Sequence, residues 1–145
     1  MGKKPGEVQT VDQFLDSTLE SVDSAENLVL DVAQKAGFPE EDLHKIGMAV
    51  RESMVNAVVH GNQYSAHKKV HVSVSKGPDR LTVTIADQGK GFDLGTVPDP
   101  LADTNILRHS GRGMFLIRAF MDELQVRRLS PLGTEVTLTK YLGRK

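Results

Sequence analysis

The chain has 145 residues, with 18 Lys and Arg against 19 Asp and Glu and 5 His, a formal net charge of -1. That length fits one domain able to bury a core without metal or disulfide support, and the balanced charge gives no argument for nucleic acid or a membrane surface as a partner. The absence of cysteine excludes disulfides, thiolate metal sites and cysteine nucleophiles, and fits a reducing compartment.

Residues 1–13 are polar, contain Pro5 and Gly6, and read as a flexible lead-in; residues 14–145 read as one domain. The opening Met-Gly-Lys-Lys-Pro-Gly lacks the apolar stretch of a signal peptide, and Gly6 stands where a myristoylation signal wants Ser or Thr. No apolar run approaches the roughly 20 residues that span a bilayer, so the expected location is the cytoplasm. A short strand is expected within Phe14 to Leu19. Ser21 or Ser24 then offers an N-cap to a helix whose apolar residues Ala25, Leu28, Val29, Val32, Ala33 and Ala36 recur at helical spacing until Gly37 and Pro39 stop it.

Pro39 followed by Glu40, Glu41 and Asp42 suits the start of a second helix, because proline tolerates the first turn and carboxylates favour the positive end of the dipole. Leu43, Ile46, Val50, Met54 or Ser53, Ala57 and Val58 form its core stripe, and Gly61 is its expected stop. Glu52, Asn56 and His60 follow at i, i+4 and i+8, so a continuous α-helix would put all three on one face beside that stripe. A carboxylate one turn before a carboxamide, at the border of a core, is costly to desolvate without a use.

His67 to Ser75 alternates, with Val70, Val72 and Val74 on one face, and Arg80 to Ala86 alternates with Leu81, Val83 and Ile85; Lys76-Gly77-Pro78-Asp79 joins them as a hairpin. Asp87-Gln88-Gly89-Lys90-Gly91 follows at once. A carboxylate at a strand end, beside two glycines, is a fixed acceptor next to backbone that a ligand can approach. Residues 94–110, with Gly95, Pro98 and Pro100, show no period and read as a long loop of the kind that carries function. Ser110-Gly111-Arg112-Gly113 opens a third helix, whose free N–H groups and dipole suit an anion. Glu123 to Leu129 and Thr134 to Tyr141 read as two closing strands.

Glu52 to Asn62 resembles the N-box, Asp87 to Gly91 the first glycine box and Gly111-Arg112-Gly113 the second glycine box of the GHKL superfamily (gyrase, Hsp90, histidine kinase and MutL ATPases). Gly133-Thr134-Glu135-Val136 resembles the strand that closes that nucleotide pocket. The order and spacing, and the Phe120-Met121-Asp122-Glu123 after the third helix, are similar to bacterial anti-sigma factor serine kinases of the RsbW and SpoIIAB type. The likeness implies a two-layer α/β sandwich, the Bergerat fold, with a mixed, mostly antiparallel sheet covered on one face by three helices.

It also implies roles. Asn56 would ligate Mg²⁺ through its amide oxygen, and Glu52 would be the general base toward an attacking hydroxyl. Asp87 would accept the adenine amino group, with Thr134 adding a hydroxyl near the base. Gly89 and Gly91 would let backbone lie against ATP, while Gly111 and Gly113 would hold its phosphates beneath a lid of residues 94–110. The related kinases place an arginine just before the Ser-Gly of the second glycine box. Here His109 stands there, with Arg108 one residue earlier, so Arg108, His109 and Arg112 are the candidate phosphate-sensing cations.

Three activities can use these residues: a kinase that phosphorylates a serine of a small STAS-type antagonist and sequesters a sigma factor, an ATPase acting on water, and a binding module with nucleotide as structural ligand. Glu52 is retained, and neither a coupled ATPase domain nor an upstream phosphoacceptor helix pair is read in the sequence, so the kinase is expected. The relatives commonly form homodimers; no direct contact with nucleic acid or membrane is expected.

Overall fold

The computed structural model describes residues 9–89, 113–129 and 132–143. Its five strands are β1 (Gln9–Asp16), β2 (Lys69–Lys76), β3 (Arg80–Ala86), β4 (Glu123–Arg128) and β5 (Thr134–Tyr141), in the sheet order β1-β2-β3-β5-β4. Every pairing between them is antiparallel, so the sheet is not the mixed one expected. Two of the pairings join strands linked by short turns, which only antiparallel neighbours allow. Three helices, α1 (Glu20–Ala36), α2 (Glu40–Val55) and α3 (Gly113–Phe120), complete the two-layer α/β architecture.

The alternation of β2 and β3 decides which face the helices cover. Val70, Val72, Val74, Leu81, Val83 and Ile85 are buried, and Val136 and Leu138 of β5 join them. Val22, Ala25, Val29 and Ala33 of α1, Ile46, Ala49, Val50 and Met54 of α2, and Ile117 of α3 close the core from the helix side. At roughly 25 cal/mol per Å² of apolar surface removed from water, this layer contact is the main source of stability. Opposite it, Ser73, Thr82, Thr84 and Thr137 give the sheet a polar, half-buried outer face.

Three local features differ from the sequence reading. The first strand begins at Gln9, inside the stretch read as lead-in, and ends at Asp16, so Leu19 lies beyond it. Its residues are mostly exposed, and pairing with β2 is what defines it: Phe14 stacks on His71 with ring centroids 4.4 Å apart, and His71 Nε2 lies 2.8 Å from Asp12 Oδ1. Neither Ser21 nor Ser24 caps α1; the helix starts at Glu20, and Thr18 Oγ1 accepts the Ser21 N–H at 3.3 Å.

The third difference lies in the second helix. After Val55 the chain winds as a π-helix over Asn56–Gly61. The Asn62 N–H reaches back to the Ala57 carbonyl at 2.8 Å, an i→i+5 bond, and Gln63 and Tyr64 follow in left-handed conformations at φ 52° and 59°. The α spacing holds from Glu52 to Asn56, whose N–H donates to the Glu52 carbonyl. It does not hold to His60: the wider turn rotates that side chain off the shared face and leaves it exposed.

Candidate functional site

Glu52 and Asn56 sit one helical turn apart, half-buried, where α2 passes into the π-helical segment. The Glu52 carboxylate has no hydrogen bond or ion pair with the described residues. Among those residues, the buried side-chain polar atoms without a partner are Asn56 Nδ2 and Thr134 Oγ1. An orphaned amide in a folded core edge calls for an external partner. Turning that amide about its own axis exchanges Nδ2 and Oδ1, so the same position can present an oxygen to a hard cation. No cluster of three or more His, Cys, Asp or Glu that could hold a metal ion forms among the described residues.

The far end of the same helical segment meets the end of β3. Asp87 is only 7% exposed. Its Oδ1 accepts the N–H of Gly89 at 3.0 Å and that of Thr134 at 3.3 Å, and its own N–H donates to the Thr134 carbonyl at 2.9 Å. Its Oδ2 makes no hydrogen bond with the described residues, and Gly61 packs against it. Burial pushes the Asp87 carboxyl above its ordinary value; the two N–H donors and the charge of Lys68 oppose that shift without cancelling it.

Close packing fixes this strand end. A Cβ on Gly61 would overlap Asp87 Oδ2, and one on Gly89 would overlap the Gly61 carbonyl, so backbone of the π-segment lies directly against the β3 end. Gly133, at φ 120°, passes over the Asp87 carbonyl in a conformation and at a distance that a side chain would not permit. Thr134, with its unpaired hydroxyl, comes next in β5.

The Gly113 start of α3 is described, and its far end is anchored by the buried Lys140, whose Nζ donates to the Phe120 carbonyl at 2.8 Å. Gly91, Arg108, His109, Gly111, Arg112 and the expected lid at 94–110 lie outside the described residues. The structure thus brings Asp87, Gly89 and Thr134 into one cluster and links it to Glu52 and Asn56 through the π-segment. Sequence reasoning missed Asn62 and the packing roles of Gly61 and Gly133. Asn62 is 1% exposed and its Oδ1 accepts the Gln88 N–H at 2.7 Å.

Comparison with known proteins supplies the family. Residues 15–140 match the model of the histidine kinase-like ATPase domain. The chain is 37% identical over 122 residues to a serine-protein kinase RsbW of Bacillus licheniformis, covering 79% of this chain and 74% of the relative. It is 38% identical over 105 residues to an anti-sigma F factor of Bacillus thuringiensis, covering 71% and 72%. A solved structure of RsbU and RsbW domains from Mycobacterium tuberculosis superposes with a TM-score of 0.67 at 18% identity, over 94% of this chain; the chain spans 33% of that longer one. By these alignments the chain belongs to the histidine kinase-like ATPase domain family, among relatives of the RsbW and anti-sigma F type.

Proposed function

We infer that this protein is an ATP-dependent serine kinase and anti-sigma factor, which transfers the γ-phosphoryl group to a serine of a small STAS-type antagonist and sequesters a sigma factor. The observation that carries the reading is the pair of orphaned buried atoms, Asn56 Nδ2 and Thr134 Oγ1, together with an Asp87 carboxylate whose Oδ2 makes no hydrogen bond with the described residues. Asp87 Oδ2 receives the exocyclic amine of adenine, which guanine lacks at that position, and the Thr134 hydroxyl completes the base contacts. Asn56 holds Mg²⁺ through its amide oxygen; the ion, when bound, neutralises phosphate charge.

Glu52, one turn earlier and without a partner among the described residues, takes the proton from the attacking serine hydroxyl. The remaining catalysis is positioning and backbone donation; the resemblance assigns the phosphates to Gly111 and Gly113, close backbone approach to Gly91, and γ-phosphate sensing to Arg108, His109 or Arg112, of which only Gly113 lies within the described residues. Among the described residues no helix is long and apolar enough to cross a membrane; the cytoplasm is the proposed location. The proposed assembly is a homodimer.

The test is incubation of the full chain with γ-labelled ATP, Mg²⁺ and candidate antagonists. Label on an antagonist serine is the expected result; release of free phosphate alone would replace the kinase by an ATPase. Nucleotide binding without either product would leave a binding module.

A further inference from the structure

Asn62 directly follows the π-segment, and its side chain is almost wholly inaccessible. Its Oδ1 accepts the Gln88 N–H at 2.7 Å, while Nδ2 donates to Ser17 Oγ at 2.8 Å and to the Lys69 carbonyl at 3.0 Å. Ser17 Oγ in turn donates to the Lys68 carbonyl at 2.6 Å, and the Gln88 side-chain oxygen accepts the Lys69 N–H at 2.5 Å. One carboxamide therefore joins the ends of β1, β2, β3 and the second helix. Only a carboxamide both donates twice and accepts at one position.

The bond to Gln88 has a particular target. It holds the peptide group between Asp87 and Gln88 by its N–H, while Gly133 packs against the carbonyl of the same group. A peptide plane gripped at both edges cannot rotate, and its orientation sets where the next N–H, that of Gly89, meets Asp87 Oδ1. We propose that Asn62 is the positioning residue of the nucleotide site: through the Asp87–Gln88 peptide it aims the Asp87 carboxylate at the base and holds it in register with Asn56 on the preceding helix. Asn62 touches neither nucleotide nor metal; it acts through Asp87. The proposal rests on the adenine-binding reading of Asp87 given above.

The experiment is a double-mutant cycle on the full chain, read as the ratio of MgATP to MgGTP affinity, with the melting temperature of each variant recorded alongside. Asn62→Ala should lower the ratio by roughly tenfold, the size of one lost hydrogen bond, toward that of Asp87→Asn. The double variant should be no less selective than Asp87→Asn alone, because the two changes remove one function. Ser17→Ala leaves the Gln88 bond in place and should keep the wild-type ratio. If Asn62→Ala does not fold at the assay temperature, Asn62→Asp retains the acceptor for Gln88 and should keep most of the selectivity.

Losses that add in the double variant, a Ser17→Ala as unselective as Asn62→Ala, or an Asn62→Asp that discriminates no better than Asp87→Asn, would each overturn the positioning role alone. An Asp87→Asn protein with an unchanged ratio would overturn the adenine reading and the proposal with it.

Discussion

A buried carboxylate held above its ordinary ionisation range is a residue whose charge the fold tolerates at a cost. For Asp87 the sign is definite. Its folded value lies above the unfolded one, so the neutral form is the one folding favours, and the ionised form subtracts stability once the pH exceeds the unfolded value. Asp87→Asn keeps an oxygen for the Gly89 and Thr134 N–H groups and removes the charge. Its nucleotide-free melting temperature at neutral pH should equal or exceed that of wild type, while ATP affinity falls about tenfold or more. ATP affinity of the wild type should fall with decreasing pH, starting above the ordinary carboxylate range, and the variant should lack that limb. Calorimetric titration between pH 4 and pH 8 checks both, the range chosen to cover roughly the carboxylate and neutral regions.

Glu52→Gln belongs to the same scale: it should retain ATP binding and lose phosphoryl transfer by about 10²-fold or more, measured as single-turnover label on the antagonist. Asp87 was legible because the alternation of β3 ends at Ala86 and glycines follow at once. Asn62 was not. A lone Asn after a helix-stopping glycine looks like a turn residue, and its partners Ser17 and Gln88 stand 45 and 26 positions away.

Elements were legible where one face is buried and illegible where none is. The hairpin β2–β3 and the stripe of α2 announce themselves by period, since valines at every second residue and apolar groups at helical spacing have one core to face. Strand β1 has mostly exposed residues and reads clearly only beside β2. The π-segment is invisible because Ala57 and Val58 suit the core in either winding. Two left-handed glycines make the elements separately testable. Gly37 ends α1 at φ 97° with open space around it, so Gly37→Ala should cost about 1 kcal/mol in denaturant unfolding and leave ATP affinity unchanged. Gly133→Ala adds a Cβ against the Asp87 carbonyl and should lower both stability and ATP affinity.

For the whole molecule, nucleotide binding and folding are linked, because the site draws on α2, β3 and β5 together and exists only where they are packed. At a MgATP concentration about 100 times its dissociation constant, binding adds roughly 2.7 kcal/mol, which raises the melting temperature by several degrees. Chelation of Mg²⁺ should shrink that shift in wild type, and Asn56→Ala should show the small shift with or without chelator. Thermal unfolding with ATP, with and without EDTA, measures it; a full shift in the Asn56 variant would remove the metal assignment.

The sheet order β1-β2-β3-β5-β4 also dictates when the molecule becomes competent. Strands β1 to β3 can pair as they leave the ribosome, but β3 finds its second neighbour only in β5. Asp87 owes one of its two N–H donors, and the partner for its own N–H, to Thr134. A nascent chain that stops short of that residue has an acidic strand end held through Asn62 and Gly89 alone. The pocket for the base therefore forms only once β5 has been made, after the residues that carry Glu52 and Asn56.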